Sequence, residues 1–560
     1  MLNKTVLAVV TALVLAMSGA AVHAQSKIVH DAEYYILEAQ NAEEWAAEDK
    51  ALDQKLAEFR ERNGGKPPNI LYILIDDIGF GDLGSETLNS VRGYKTPAIN
   101  EIAREGMRLS RMYTEPSCTP TRVAFMTGRQ PYRSGMGNTS VDISGFGLAG
   151  QEVTLAEILS DAGYNTSHVG KWHMGDIKES WPNFQGFDYA VFPIHQQGQL
   201  TIFHDDAADE EVSIGIGDNN YDDRFTLDRW LRTDASSMVT GVEGTRDKNV
   251  REVQMQPSER WTEAKYHEIN VRYQQQALEQ LRELAKEDEP FFLQYWPLYP
   301  LTGPRTTTDK YTTPNGGTYV EKMKLVDSWI GELMAEMDEL GIADNTLVIV
   351  MGDNGHFTKY SPQSGYTPML FRGGKGDTTE GGVRVDAFVR WPGMIKADSV
   401  AGDIVHVSDL FSTIARLGGA TDKIPTDRII DGIDQTALLL NGETQGRRDY
   451  VFIYNIDKLE AVVKEQYKLA IPGGNLQNAI LADFYDLFRD PQEKYPVSTQ
   501  IGAWGGAKFV RMIQRHVKRK AKYPDEGPAT GVPYDGIENL RPESKAAVDE
   551  FLFMMKTPEL

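Results

Sequence analysis

Cysteine is nearly absent from this chain: its 560 residues include one, Cys118. A single cysteine excludes an internal disulfide framework. Basic residues are also scarce relative to acidic ones, 58 against 81, which gives a formal net charge of −23. Such a charge disfavours nucleic acid or an anionic membrane surface as the main partner, because both would be repelled at long range.

Long hydrophobic runs are absent after the first 24 residues. Those 24 residues are predicted to be a signal peptide, because Lys4 precedes an apolar stretch over 6–21 and small residues at 22–24 (Val-His-Ala) fit a cleavage site before Gln25. The apolar stretch is shorter than a membrane span. We therefore expect an exported protein, periplasmic or extracellular, with no stable membrane anchor.

The remaining composition is typical of a globular protein, with 41% hydrophobic and 10% aromatic residues. A continuous apolar run at 70–75 predicts a buried parallel strand, and the largely apolar segments 291–296 and 346–351 predict two further strands. Amphipathic patterns at 259–286 and 319–340 predict long helices between them. This alternation predicts an α/β fold, in which helices cover both faces of a large, mixed, mostly parallel sheet.

The pattern changes after about residue 420, where short strands at 450–454 and 467–471 predict a smaller C-terminal α+β domain. An acidic stretch at 203–251 is interpreted as an insertion that shapes substrate choice, or else as an ordinary surface loop. The predicted division of the chain is signal peptide 1–24, a solvated helical N-terminal extension 25–66, catalytic domain 67–424, small C-terminal subdomain 425–500 and C-terminal helical extension 501–560.

Oxygen-bearing side chains directly follow the first and last of the three predicted strands. Asp76 and Asp77 follow one, and Asp353 and Asn354 follow the other. In open α/β sheets, sites form along the carboxyl ends of the strands. Buried carboxylates are costly unless compensated, and calcium or magnesium suits such ligands better than zinc. The pattern predicts a cation site, although solvated loop acids would produce the same sequence.

The segment 79–84 (GFGDLG) matches the glycine pattern of a dinucleotide site. Three carboxylates, Asp76, Asp77 and Asp82, would surround the pyrophosphate with negative charge. We therefore reject that interpretation.

The single cysteine lies in the segment EPSCTPTRVAFMTGR, residues 115–129. The prolines predict a turn, and the helix that follows would aim its N-terminal amides at Cys118, which favours an anion there. Arg122 lies four residues further on and shares a helix face with Cys118. A cysteine phosphatase would place its arginine where this chain has Ala124, so that function is set aside.

The run from Cys118 to Arg122 (CTPTR), followed by TGR at 127–129, resembles the signature of the sulfatase family, in its formylglycine-dependent cysteine type. The resemblance extends from about residue 67 to about residue 496. It includes the blocks IDDIGFGDLG (75–84), GKWHMG (170–175), DNTLVIVMGDNG (344–355) and RGGKG (372–376). It implies an alkaline phosphatase-like fold and an arylsulfatase-like hydrolase of sulfate esters.

The resemblance also implies roles for residues at matching positions. A formylglycine-generating enzyme would oxidise Cys118 to formylglycine before folding, and Arg122 would stabilise the aldehyde hydrate. Lys171, His173 and Lys375 would line the sulfate pocket. The ligands of one Ca²⁺ ion, with Mg²⁺ or Mn²⁺ as alternatives, would be Asp76, Asp77, Cys118, Asp353 and Asn354.

The chemistry of sulfate esters agrees with these roles. Their charged oxygens repel nucleophiles, and a metal ion with cationic side chains neutralises that charge as it shifts toward the leaving oxygen. An aldehyde hydrate carries two hydroxyls, so one attacks sulfur and the other then expels sulfate and regenerates the aldehyde. A serine could attack but lacks this second step.

The chain departs from the family pattern where leaving-group protonation is expected. The family often has a Pro-His pair after the strand matching residues 290–293, whereas Leu301 occupies that position here. Lys375 is the expected replacement, with His195 and His356 as further candidates. A serine that some members place after the GFD block (186–188) also has no clear counterpart.

Three functions follow from the sequence. The first is hydrolysis of a sulfate ester, in a small molecule or a sulfated glycan. The second is a phosphonate monoester or phosphodiester hydrolase of the same superfamily, which activity on phosphate diesters with a preference for manganese would distinguish. The third is a sulfated-glycan binding protein with a degraded site, which an unmodified Cys118 would favour.

Overall fold

The computed structural model describes most of the chain. The predicted signal peptide, His195, Leu301 and most of the acidic stretch 203–251 lie outside the described residues. The described residues are 27–92, 94–138, 145–194, 202–205, 210–213, 241–246, 248–252, 263–300, 317–356, 370–475, 482–497 and 499–531. No helix among them is long and apolar enough to cross a membrane.

Strands and helices alternate through the first 420 residues, as the apolar runs predict. The strands are β1 (Asn69–Ile75), β2 (Met107–Tyr113), β3 (Phe146–Gly147), β4 (Asn165–Gly170), β5 (Tyr189–Phe192), β6 (Ile202–Asp205), β7 (Glu210–Ser213), β8 (Val242–Thr245), β9 (Lys248–Glu252), β10 (Phe291–Trp296), β11 (Thr346–Gly352), β12 (Arg384–Val385), β13 (Ala387–Arg390), β14 (Ser399–His406), β15 (Tyr450–Asn455), β16 (Lys458–Lys464), β17 (Tyr467–Ala470), β18 (Asp483–Asp486) and β19 (Ala529–Thr530). The helices are α1 (Ala32–Arg62), α2 (Glu86–Arg92), α3 (Pro97–Glu105), α4 (Cys118–Thr127), α5 (Leu155–Asp161), α6 (Glu263–Leu284), α7 (Gly317–Glu339), α8 (Glu380–Val383), α9 (Val407–Gly418), α10 (Thr436–Asn441) and α11 (Thr499–Lys522).

The main sheet has 11 strands in the order β12-β2-β13-β11-β1-β10-β4-β5-β8-β9, and β14 also pairs with β2. Its centre, β11-β1-β10-β4-β5, is parallel. Antiparallel pairing begins at β13 on one side and at β8 on the other. The mixed α/β fold is therefore confirmed, and the three predicted strands, β11, β1 and β10, lie side by side in its parallel centre.

Both faces of the sheet are covered by apolar side chains. Successive residues of a strand point to opposite faces, and β1 shows this, because Tyr72 and Leu74 pack in one core cluster while Leu71 and Ile73 pack in another. All seven residues of β1 are buried. A strand covered on both sides needs no polar alternation, which is why it is one continuous apolar run in the sequence.

Helix α1 differs from its prediction as a solvated extension. Leu52, Leu56 and Phe59 recur at helical spacing and join the main core cluster. Phe59 packs edge-to-face against Trp391, with 4.8 Å between ring centroids. One face of the helix is therefore part of the core.

The C-terminal region contains a four-stranded antiparallel sheet, β15-β16-β17-β18. Helix α11 docks on it, since Phe509 and Met512 share a cluster with Phe484 of β18. This forms the expected smaller α+β unit. The boundary at residue 425 stays a prediction, because Ile430 and Leu438 still pack in the main core.

Candidate active site

Four oxygen-bearing side chains meet at the carboxyl end of the central strands. Strands β1 and β11 are parallel with Ile75 paired to Gly352, so the residues that follow them lie side by side. The Asp77 amide donates to Asp353 Oδ1 at 2.9 Å, and Asn354 Nδ2 donates to Asp77 Oδ1 at 2.7 Å. The structure thus brings together the two pairs that the sequence placed after separate strands.

Cys118 begins helix α4 and is fully buried. Arg122, one turn along, also has no exposed surface and reaches both strand ends. Its Nη2 atom donates to Asp353 Oδ2 at 2.9 Å and to Asp76 Oδ1 at 3.2 Å. Its guanidinium carbon lies 4.7 Å from the ring centroid of Trp296, at the end of β10. Sequence reasoning missed Trp296, whose only signal was an aromatic residue ending a buried strand.

Two lysines complete the cluster. Lys171, directly after β4, donates from Nζ to Asp76 Oδ1 at 2.7 Å. Lys375, on the loop before α8, has Nζ 2.9 Å from Asp77 Oδ1. The backbone amide of Lys375 donates to the carbonyl of His356 at 2.9 Å. Both lysines therefore lie beside the carboxylates, and their place in a sulfate pocket stays a prediction.

His173 lies two residues after Lys171 and is 5% exposed. Burial lowers the pKa of His173 well below 6.5, and the nearby positive charges of Lys171 and Arg122 lower it further. Its imidazole is therefore neutral at physiological pH. A neutral ring can both accept and donate a hydrogen bond.

The carboxylates differ in their electrostatic surroundings. Burial alone would raise the pKa of Asp76, but Lys171, Lys375 and Arg122 outweigh it and hold that pKa well below 3.8. Burial and the adjacent Asp76 raise the pKa of Asp353 well above 3.8. Burial would lower the pKa of Lys375, but Asp77 and its neighbours raise it well above 10.5. The lysine therefore stays an ammonium ion.

The residues present fit a hard divalent cation. One ligand atom each from Asp76, Cys118 and Asp353 lie within 4.8 Å of one another. In the described part of the chain, Asn354 Oδ1 is buried and accepts no hydrogen bond. An unsatisfied buried oxygen costs free energy, and a cation would satisfy it. Carboxylate and amide oxygens are the ligands that calcium and magnesium take.

One suggested proton donor, His195, lies outside the described residues, as does Leu301, which occupies the position of the family's histidine. His356 is described, and its Nδ1 atom lies 2.9 Å from Asp82 Oδ2. Its ring packs against Gly79, where a Cβ would lie 2.3 Å from the imidazole. The close approach of His356 therefore requires a glycine at position 79, and the sequence alone gave no reason for it.

A model of the Sulfatase family matches residues 68–420. N-acetylgalactosamine-6-sulfatase of Mus musculus is 29% identical over 493 residues, 81% of this chain and 86% of its own length. Steryl-sulfatase of Rattus norvegicus is 32% identical over 446 residues, 71% of this chain and 74% of its own. The crystal structure of PsFucS1 sulfatase from Pseudoalteromonas sp. superposes with a TM-score of 0.73 and 28% identity, covering 86% of this chain and 96% of that one.

Proposed function

This chain belongs to the sulfatase family and is an enzyme that hydrolyses sulfate esters, and from that premise we propose that it uses formylglycine made from Cys118 together with one divalent cation. The observation that carries the proposal is the convergence of Cys118 with Asp76 and Asp353. The hydrate of formylglycine supplies one hydroxyl to attack sulfur and a second to release sulfate.

We propose Ca²⁺ as the cation, with Mg²⁺ or Mn²⁺ as alternatives, and Asp76, Asp77, Asp353 and Asn354 as its oxygen ligands together with the residue at position 118. Three carboxylates (Asp76, Asp77, Asp353) lie beside three cationic side chains (Arg122, Lys171, Lys375), so the charges of these six groups sum to zero. A divalent cation would then make the site positive by two. That excess supports binding of an anionic ester by a protein whose net charge is −23.

The cationic side chains take separate roles in this proposal. Arg122 holds the residue at position 118 and the ligands Asp76 and Asp353 in one geometry. Lys171 and His173 bind the sulfate oxygens. Lys375 faces the leaving oxygen and supplies its proton, because its ammonium group lies beside Asp77 and Leu301 replaces the histidine of the family pattern.

Modification before folding is part of the proposal. Cys118 has no exposed surface in the fold, so a formylglycine-generating enzyme would reach it only in the unfolded chain. The predicted signal peptide supports export to the periplasm or the extracellular space, where a sulfated glycan or a small sulfate ester is the substrate.

The test is mass spectrometry of the tryptic peptide 112–122 from protein purified from its native host. An aldehyde or its hydrate at position 118 is the expected result. Rates of hydrolysis of a sulfate ester and a phosphate ester of the same chromogenic phenol then measure the substrate preference of the enzyme. The sulfate ester is expected to be hydrolysed faster. A wholly unmodified thiol in active protein would overturn the formylglycine mechanism, and a preference for phosphate diesters would favour the superfamily alternative.

A further inference from the structure

A buried charge cluster lies outside the active site, between the small sheet and the main sheet. Lys468 of β17 has Nζ 3.2 Å from Glu380 Oε1 and 2.9 Å from Glu493 Oε1. Glu493 Oε2 accepts a hydrogen bond from the Glu380 amide at 2.7 Å, and Tyr113 Oη donates to Glu380 Oε2 at 2.9 Å. All four side chains are at most 1% exposed. The proposed chemistry uses none of them.

Such a cluster is unusual because charged groups lose their hydration when they are buried. A buried ion pair adds little stability over apolar side chains, yet removing one partner is strongly destabilising. Here one lysine serves two carboxylates, and Arg384 adds a second positive charge 3.5 Å from Glu380. The best-supported reason for such a group is that it holds a particular arrangement of the chain.

That arrangement includes the loop that carries Lys375. Glu380 begins α8, and the residues before it fold back on this helix, since the Gly381 amide donates to the Arg372 carbonyl at 2.9 Å. A Cβ on Gly382 would lie 2.0 Å from the carbonyl oxygen of Asp377. The segment 372–382 is therefore a tightly closed loop whose position follows that of Glu380.

The same loop has a second attachment to the small subdomain. Arg372 Nη1 donates to the Glu493 carbonyl at 2.6 Å, and Gln492 Nε2 donates to the Leu370 carbonyl at 2.9 Å. On its other side, the Gly376 amide donates to the Pro116 carbonyl at 2.7 Å, two residues before Cys118. The loop thus connects the small subdomain to the nucleophile segment.

We propose that Lys468 and Glu493 are positioning residues, which act from the small subdomain by holding the 372–382 loop so that Lys375 stays against Asp77 and the leaving oxygen. The inference rests on the proposed function in one respect, the role of Lys375. It goes further by making the small subdomain part of the catalytic apparatus, although neither residue touches the reacting atoms.

The test is a double-mutant cycle with Lys468→Met, Lys375→Ala and the variant carrying both. Misplacing a catalytic group by about 1 Å can cost about 100-fold in rate, so Lys468→Met is expected to lower kcat by about 10- to 100-fold. If Lys468 acts through Lys375, the double variant is no slower than Lys375→Ala alone. The matched control is Lys464→Met, which removes a lysine of the neighbouring strand β16 that pairs with Glu33 and Asp449.

A second readout separates positioning from a general loss of stability. With a series of aryl sulfates, Lys468→Met and Lys375→Ala are both expected to steepen the dependence of kcat/KM on the pKa of the leaving phenol. If Lys468 had a purely structural role, the substitution would lower kcat/KM by the same factor for every substrate in the series. If Lys468→Met does not fold, the double-mutant cycle with Lys375→Ala is repeated with Glu493→Gln, because this substitution keeps the shape of the side chain.

The outcomes distinguish the inference from the proposed function. Additive losses in the cycle, with Lys375→Ala itself impaired, would overturn the positioning role and leave the proposed function intact. Wild-type activity of Lys375→Ala would overturn the assignment of Lys375, and the inference with it. Non-additive losses with a steeper leaving-group dependence support both.

Discussion

Lys171 and Asp76 form a buried ion pair, with Nζ 2.7 Å from Oδ1, although they follow strands β4 and β1, which are separated by β10. Neither side chain has exposed surface. The pair exists because three parallel strands end at one edge of the sheet. The positive charge of Lys171 lowers the pKa of Asp76, so this carboxylate stays ionised and able to bind a cation.

Replacing Lys171 with Met is expected to lower kcat/KM for an aryl sulfate by about 100-fold or more, because the proposed function assigns this buried, preorganised positive group to the sulfate oxygens. Steady-state kinetics measures the loss, and thermal unfolding checks that the variant folds. The control is Lys178→Met at an exposed position. Equal losses in both variants would contradict a specific role for Lys171.

The variant Cys118→Ser is expected to release at most one equivalent of phenol from an aryl sulfate and then to stop. A serine oxygen can attack sulfur but has no second hydroxyl with which to expel sulfate. Stopped-flow absorbance of the phenolate measures the burst against the enzyme concentration. Sustained turnover by this variant would show that the reaction does not need the hydrate.

Removing divalent cations with a chelator is expected to abolish activity and to lower the unfolding temperature, and added Ca²⁺ is expected to reverse both changes. A ligand that binds only the folded state at 100 times its Kd stabilises it by about 2.7 kcal/mol. The variant Asn354→Leu, which removes the unsatisfied oxygen, should show a smaller thermal shift at the same calcium concentration. A full shift in that variant would exclude Asn354 as a ligand.

The free energy of unfolding is expected to depend on pH through the carboxyl group of Asp327. Its carboxylate accepts hydrogen bonds from the amides of Ile99 and Ala98, but burial raises its pKa from 3.8 to about 6. The folded protein therefore binds this proton more tightly than the unfolded chain, so the contribution of Asp327 to stability increases as pH falls from about 6 to about 4. Between pH 7 and pH 5 the gain is about 1 kcal/mol.

Urea unfolding of the wild type and of Asp327→Asn at the two pH values isolates that contribution. The wild type is expected to gain about 1 kcal/mol more than the variant on going from pH 7 to pH 5. The same pH dependence in both proteins would show that Asp327 has an ordinary pKa in the fold.

Some features followed from local sequence alone. The continuous apolar run of β1 predicted a strand buried on both faces, and Asp76 and Asp353 were placed at one sheet edge because parallel strands share their direction. The buried face of α1 was not predicted, because Leu52, Leu56 and Phe59 meet their partner surface only in the folded chain. For the same reason, the contact between the Arg122 guanidinium and the Trp296 ring had no signal in the spacing of either residue.

The sequence by itself determined the chemistry: the residue types after each strand, the single cysteine with Arg122 one turn later, and hence the family. Only the tertiary structure decided which charges become buried partners. Lys468 lies 88 residues from Glu380 in the chain, and each resembles an ordinary surface charge in its own segment. Their pairing depends on how the small sheet packs against the main one, because burial is a property of surfaces that distant segments form together.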